Sequence, residues 1–452
     1  MSAQKQLRIL MIVENCAFLR DPRVRKEAKN LHSAGHQVAA ICPKAFPSQP
    51  WRESINGITI YRYLPMPAGL RAFGYSLEYA YATLAIALLS LIVLLREGFD
   101  VIHVANPPDT LVLTVASYKL IGKRVIYDQH DLCPELLTTK FRKLRWILPL
   151  LLWLERWSYR LADHVIVTNE SYRANALVRG QIAASKITVV RNGPELRNIG
   201  SGEVDWELRS RSNNIIVYAG TIGSQDGLDC LCRILHSLRY ELARPDFHCV
   251  VLGDGDALSE VQTLVRELHL EDNVCFAGWI DDPSRYLTFL HTADICVSPD
   301  PSTSYNNQST FIKIMDYMAA GKPIVAFELP ETRYSARDSA LYSPVNDERQ
   351  FALRLAELMD NPALRKQLGD RGKKRVREEL AWEYSVPHLL RAYRACWLGT
   401  ARTSKDLRRN VGGKKVQSKH VPHEVVRTAS ASSRQHGGTP PQTHTDCLED
   451  SA

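Results

Sequence analysis

The chain has 452 residues, 45% of them hydrophobic and 23% charged, and a formal net charge of +8. That length exceeds one ordinary core and predicts two domains of similar size, and the proportions are globular, excluding a disordered or fibrous chain. Nine Lys/Arg and five Asp/Glu lie from Gly399 onward, so the rest is only mildly basic, which fits an anionic substrate or an anionic lipid surface and argues against nucleic acid.

Strand-like runs alternate with helical stretches. "RILMIVEN" leads to a helix from about Pro22 to Ala34, then "GHQVAAICP" and "GITIYRYL". A long helix around Tyr75–Arg96 precedes "DVIHVAN", and "KRVIYDQHD", "DHVIVTNES" and "KITVVRNG" follow. These runs of Val, Ile and Leu lack polar alternation, as in parallel strands buried on both faces, and repeated β-α-β predicts a doubly wound sheet. Near Gly200 a polar, glycine-containing stretch reads as a linker. A second series then begins, with "NIIVYAG", "FHCVVLGDG", "NVCFAGW", "ADICVSPD", "KPIVAFE" and "ALYS".

The predicted organisation is an α/β protein of two doubly wound, Rossmann-like domains, 1–198 and 199–380, facing each other across a cleft. A helix over 381–398 is expected to return to the first domain, and the tail over 399–452, poor in large apolar residues, to be disordered.

Ten cysteines occur without C-x-x-C pairs or zinc-like Cys/His spacing. They read as small core residues in a reducing compartment, so a cytoplasmic location is expected. "QLRILMIVEN" is a strand run too short for a signal peptide. The charge-free Tyr79–Leu95 stretch is at the short limit for a membrane span, but a sheet strand follows at once, so it reads as a buried or membrane-facing helix. Lys140–Arg160 combines basic residues, Trp and an apolar run, which suits either an interfacial helix on anionic lipid or a helix packed on its sheet. A peripheral position on the inner face of the cell membrane follows as an expectation.

In "STFIKIMDYMAAGKPIVAF", helical periodicity places Ser309, Lys313 and Asp316 on one polar stripe, with Phe311, Met315 and Met318 turned away. A lysine near a helix start is electrostatically misplaced unless an anion lies nearby, and a diphosphate at the helix mouth would resolve this. The bland alternative is a Lys313–Asp316 surface pair.

The set formed by "VVLGDGDALSEVQTLVRELHLEDNVCFAGWI" and "STFIKIMDYMAAGKPIVAF", after a first domain carrying "DPRVRKEAKNLHSAGHQV", "VANPPD" and "YDQHDLCPE", resembles the retaining, nucleotide-sugar-dependent glycosyltransferases of family 4, which have the GT-B fold. The first-domain features resemble a branch that builds bacterial surface polysaccharides. The resemblance spans roughly 7–398 by motif order. It implies transfer of a hexose from a UDP- or GDP-sugar, with retention, to a carbohydrate or lipid-linked oligosaccharide acceptor. No cofactor or metal is implied.

By the resemblance, His130, Lys313 and Gln308 are the catalytic candidates. Asp316 would bind the ribose hydroxyls, since a carboxylate accepts two hydrogen bonds from a diol. Ser309, Thr310, Asn307, Gly220, Thr221, Gly253, Gly255, Trp279 and Ile280 complete the implied nucleotide-sugar site. Arg23, Asn106 and Asp109 are candidates for the acceptor or phosphate side, although the prolines after Asn106 would equally make a rigid turn. His130 is alternatively a structural histidine bonded to Asp128 or Asp131.

Three positions depart from the family's pattern. Gln308 stands where a first acidic residue is usual, so sugar recognition could pass to Gln308, Asn307 or Asn306. Thr221 and Asp226 stand where an Arg and a Lys usually neutralise the diphosphate, leaving Lys313 and Arg23 to supply charge. These departures keep one alternative open, a catalytically silent GT-B partner subunit; the other alternative, a nucleotide-sugar epimerase on the same fold, needs acid–base carboxylates in the cleft and is not favoured by the missing acid at Gln308.

Overall fold

The structure, a computed structural model, describes residues 5–66, 72–140, 142–199 and 202–410. The described residues up to Thr403 form one compact unit. The first half runs β1 (Arg8–Ile12), α1 (Pro22–Ser33), β2 (Gln37–Pro43), β3 (Arg52–Ile55), β4 (Ile58–Tyr63), α2 (Ala72–Arg96), β5 (Val101–Asn106), α3 (Leu111–Leu120), β6 (Arg124–Gln129), α4 (Cys133–Lys140), α5 (Leu148–Leu161), β7 (His164–Val167), α6 (Glu170–Val178) and β8 (Ile187–Val189). The second half runs α7 (Trp206–Ser210), β9 (Ile215–Ala219), α8 (Leu228–His236), β10 (His248–Leu252), α9 (Leu258–Glu267), β11 (Val274–Gly278), α10 (Pro283–Thr292), β12 (Ile295–Ser298), α11 (Ile312–Ala319), β13 (Ile324–Phe327), α12 (Pro330–Ala336), β14 (Ala340–Ser343), α13 (Glu348–Asp360), α14 (Pro362–Arg375) and α15 (Trp382–Asn410).

Two sheets result, in the orders β3-β4-β2-β1-β5-β6-β7-β8 and β11-β10-β9-β12-β13-β14. All neighbours pair in parallel except β3 with β4. Alternation along β1 shows the double winding. Ile9 and Met11 pack with α1 and α15, whereas Leu10 and Ile12 pack with α2 and α3. In the second sheet Ile216 and Tyr218 join the α8–α13 side, and Ile215 and Val217 the α10–α11 side.

The return of the last helix is direct. Trp382, Leu389, Ala392, Tyr393 and Cys396 are buried against the first sheet. Trp382 N–H donates to the Pro194 carbonyl at 2.8 Å, tying the two ends of the domain crossing together.

Three details differ from expectation. β3 was not foreseen, because a four-residue edge strand with alternating exposure carries little apolar signal. α15 runs on to Asn410, so the boundary expected at 398 falls inside a helix, and the remainder of the expected tail lies outside the described residues. Ser309 is not on α11, which begins at Ile312; it follows a 3₁₀ turn over Asn306–Gln308 in extended conformation.

Candidate functional site

Doubly wound sheets gather ligands at the carboxyl ends of their strands, where the strand order reverses. In the second sheet that point lies between β9 and β12, and in the first between β1 and β5. Gly220 and Thr221 follow β9, and Asp300 follows β12, as Lys313 enters in the first turn of α11.

The Lys313 ammonium lies 2.7 Å from an Asp300 carboxylate oxygen, 4.6 Å above the Tyr218 ring and 5.1 Å from the Phe311 ring. Its partner is therefore Asp300, not Asp316, and Phe311 faces it instead of turning away. The other Asp300 oxygen accepts from the Ser298 hydroxyl. Asp300 could have been noticed as a carboxylate at a strand end in "SPDPS", but nothing along the chain marks it as the counter-ion of a residue on the next helix.

Asp316 looks the other way. Tyr286 Oη donates to it at 3.1 Å, and burial pushes its carboxyl up to about 6, with Lys26 opposing from the first domain. Lys26 itself is drawn down to about 8 by burial; it donates to Asn192 Oδ1 and the Gly193 carbonyl, both at 2.7 Å, and lies over the Trp382 ring. The predicted single stripe is thus three separate environments, because the helix starts after Ser309 and because Lys313 and Asp316 diverge around its axis.

The glycines of "GDG" have a packing reason. A Cβ on Gly253 would sit 1.8 Å from the Gly220 carbonyl oxygen, and one on Gly255 2.3 Å from that of Ile222. The backbone after β10 presses on the backbone after β9, and Ile222 N–H donates to the Asp254 carbonyl at 3.0 Å. Thr221 is exposed beside this contact. Asp226 closes its own loop by accepting from Gly223 N–H at 2.9 Å, and burial raises it to about 6. Trp279 is half exposed after β11 and donates to Asp281, while Ile280 packs on the core.

The segment before α11 meets the first domain. Asn169 Nδ2 donates to the Gln308 carbonyl at 2.8 Å and to Thr310 Oγ1 at 2.9 Å, and Asn175 Nδ2 reaches Gln308 Oε1 at 2.5 Å. Tyr172 Oη and Ser309 Oγ lie 3.3 Å apart, and Tyr305 Oη donates to Asp131 at 2.6 Å. Asn306 is buried, bonded to the Gln225 and Pro301 carbonyls, and Asn307 Oδ1 accepts from Ser302. Of these cross-cleft partners, Asn169 and Asn175 carried no signal in the sequence.

On the first-domain side, His130 follows β6. Its Nε2 lies 2.7 Å from Asp128 Oδ2. Burial pulls the His130 imidazole down, but Asp128 more than offsets this and raises it. Arg23, expected to meet a phosphate, is instead turned inward at 3% exposure. Its guanidinium holds Asp128 through two nitrogens at 3.1 and 2.8 Å, donates to the Val190 carbonyl at 2.8 Å, and lies 3.2 Å from Glu27. The correction has a physical reason: a buried carboxylate needs a counter-charge more than a solvated phosphate does. Burial raises Glu27 to about 7, with Asp128 adding to the effect.

Asn106 and Asp109 are also turned inward. Asn106 Oδ1 accepts from His130 N–H at 2.7 Å and Asp131 N–H at 3.1 Å, and its Nδ2 donates to Asp109 at 3.0 Å. Asp109 also accepts from Tyr127 Oη at 2.6 Å. The pair braces the turn that presents His130 instead of lining an acceptor surface.

Glu27, His103 and Asp128 bring ligand-type atoms within 4.8 Å of one another. The Arg23 guanidinium already stands 2.8 Å from Asp128 and 3.2 Å from Glu27, in the place a cation would take.

Residues 21–193 match the glycosyl transferase 4-like domain, and residues 204–375 match the glycosyl transferases group 1 domain. The EpsD protein of Bacillus subtilis is 24% identical over 312 residues, covering 64% of this chain and 77% of its own. The chitobiosyldiphosphodolichol beta-mannosyltransferase of Debaryomyces hansenii is 22% identical over 299 residues, covering 59% and 63%. Among solved structures, a sucrose-phosphate synthase from Thermosynechococcus elongatus superposes with a TM-score of 0.71 at 19% identity, covering 87% of this chain and 100% of that one. HepE of Anabaena, solved with UDP and glucose, superposes with a TM-score of 0.63 at 14% identity, covering 86% and 100%. With both sheets, the cleft between them and both domain matches in agreement, the chain belongs to the family-4 glycosyltransferases of the GT-B fold.

Proposed function

We propose that the protein transfers a hexose from a nucleoside diphosphate sugar to a carbohydrate acceptor, lipid-linked, with retention of configuration, on the cytoplasmic side during cell-surface polysaccharide synthesis. The observation that carries this reading is that α11, which enters at the reversal point of the second sheet, carries both Lys313 and Asp316. Lys313 is held by one carboxylate, Asp300, and has further N–H donors to offer a diphosphate. Asp316 offers carboxylate oxygens to a diol. HepE, which shares the fold, was solved with UDP-glucose, which supports this class of donor.

In this reading the chemistry is stabilisation of a leaving diphosphate. Lys313 and the start of α11 meet negative charge that grows as the sugar–phosphate bond breaks. His130, with its Nε2 held between Asp128 and Arg23, faces the donor sugar, and the acceptor hydroxyl attacks from the side the diphosphate leaves. Gln308 stands in place of the usual acid, with its side-chain amide held between Asn175 and the Ser304 carbonyl.

A second reading, a silent partner subunit, draws on Asp226: a carboxylate rather than a Lys closes the loop after β9. Release of nucleoside diphosphate from a panel of UDP- and GDP-sugars, with and without membrane extract, separates the two. Turnover with one donor supports transfer. Absence of turnover with every donor, alongside intact folding, supports the silent subunit.

A further inference from the structure

We infer that α2, α3 and α5 together form one face that lies flat on an anionic lipid bilayer, with α2 in the membrane plane instead of across it. This goes beyond the donor-site reading and does not depend on it.

The first observation is a continuous stripe. Along α2 the exposed large apolar side chains among the described residues are Leu77, Tyr81, Leu84, Leu88, Leu91 and Leu95, spaced three or four residues apart. That is one helical face, roughly 27 Å long at about 1.5 Å per residue. Leu84, Leu88 and Leu95 are 61%, 58% and 77% exposed. A globular helix normally turns such a stripe inward and its polar side outward. Here the inward face is filled separately, by Ala82, Ile86 and Val93 against the first sheet.

The second observation rules out a crossing. α2 has the length and hydropathy of a span over Leu77–Arg96. Yet β4 before it pairs with β2, and β5 after it pairs with β1, all in one sheet. Both ends of the helix are anchored in that sheet and its inner face packs on it, so the helix cannot leave it to traverse a bilayer.

The third observation widens the face. α2 packs on α3, and α3 on α5. Leu113, Leu120 and Ile121 are exposed at α3. Along α5 and the turn before it, Trp146, Leu150, Trp153 and Trp157 are exposed, again three or four residues apart. Exposed apolar side chains gathered on three successively packed helices mark an interaction site.

Charge selects the occupant. Lys143, Arg145, Arg156 and Arg160 are exposed around the tryptophans, whereas the one acid of that stretch, Glu155, is buried. Lys143, Arg145 and Arg160 make no ion pair among the described residues. Tryptophans flanked by unpaired basic side chains fit the headgroup region of anionic lipid, with leucines entering the acyl boundary. A second copy of this chain would bring the same basic residues face to face.

The test is co-sedimentation of the full chain with phosphatidylcholine vesicles, with and without phosphatidylglycerol. Wild type is expected to bind, more tightly with phosphatidylglycerol. Leu84→Ser with Leu88→Ser and Leu91→Ser should lower binding to both by at least roughly tenfold. Arg145→Glu with Arg156→Glu and Arg160→Glu should remove only the phosphatidylglycerol preference. Circular dichroism and nucleotide binding should be unchanged in both variants, which keeps failure of this inference distinct from failure of the donor-site reading. Wild type without vesicle binding, or variants that bind as wild type does, would overturn it. So would a dimer, seen by light scattering, that the serine variant dissociates, and so would retention on cell membranes through alkaline carbonate, which would indicate a true span.

Discussion

His130 Nε2 and Asp128 Oδ2 stand 2.7 Å apart at the carboxyl end of β6, with Asp128 also gripped by Arg23. The histidine is raised above its ordinary value and the carboxyl held well below its own, against the burial that opposes both. A raised histidine stabilises the fold fully below its unfolded value of about 6.5, and that contribution fades as pH rises through the folded value. A depressed carboxyl contributes above its unfolded value, and its share is lost as pH falls through the folded one.

Asp128→Asn should therefore lower the His130 pKa and flatten the fall in thermal stability above neutrality. It should also cost about 3–5 kcal/mol, because Arg23 is left buried beside Glu27 alone. Histidine NMR titration and thermal unfolding across pH check both. An unshifted His130 in the variant would show that the pair does not form in solution.

Lys313→Ala should weaken binding of the donor and of nucleoside diphosphate while leaving nucleoside binding nearly untouched. Turnover should fall more than affinity, since leaving-group charge grows in the transition state. It also strands buried Asp300, costing about 3–5 kcal/mol. Lys313→Met with Asp300→Asn removes both charges and should recover most of that stability without recovering diphosphate binding. Calorimetric titration with nucleotide and nucleoside decides between a site and a structural pair.

Asp316→Asn should lower nucleotide affinity roughly 10- to 150-fold, the range for a charged hydrogen bond of about 1.5–3 kcal/mol. Wild-type affinity should also fall as pH drops through about 6, where Asp316 takes up its proton. The Asn variant should lack that step. Affinity that ignores both the substitution and the pH would remove Asp316 from the site.

Gly253→Ala should destabilise more than Gly122→Ala. Both glycines have positive φ, but the new Cβ meets the Gly220 carbonyl oxygen at 1.8 Å in the first case and nothing within 4 Å in the second. The backbone conformation alone costs about 1–3 kcal/mol, and at Gly253 displacement of the β9 loop adds to it. Urea unfolding of the two variants measures the difference.

Tyr393→Phe should cost about 1–3 kcal/mol, because Tyr393 Oη is the 2.8 Å partner of His103 Nδ1, a fully buried group. The bond joins α15 to β5, so hydrogen exchange in α15 should rise with it. Unchanged exchange would show that the apolar contacts of Trp382 and Leu389 hold the helix alone.

The order of strands and helices was legible because each parallel strand carries its own run of Val, Ile and Leu, and each helix its own period. β1 through "RILMI" and β13 through "IVAF" need no knowledge of the rest of the chain. The reversal points follow from that order, and with them the strand ends at which such sheets gather ligands. β3 escaped because an edge strand of four half-exposed residues has no such signature.

What the sequence by itself determined is the β-α series, the two domains, the returning helix and the residue types gathered at the strand ends. What only the tertiary structure decided is which charge faces which. Arg23 turned inward because Asp128, 105 residues away, lies buried within 2.8 Å of it, and Lys313 chose Asp300 across a loop over its helical neighbour Asp316. The same holds for α2, whose leucines read alike around the helix until the sheet covered one side and left the other open. Periodicity is a property of neighbours along the chain, whereas Coulomb attraction and burial depend on distance through space, and that distance exists only once the sheets have formed.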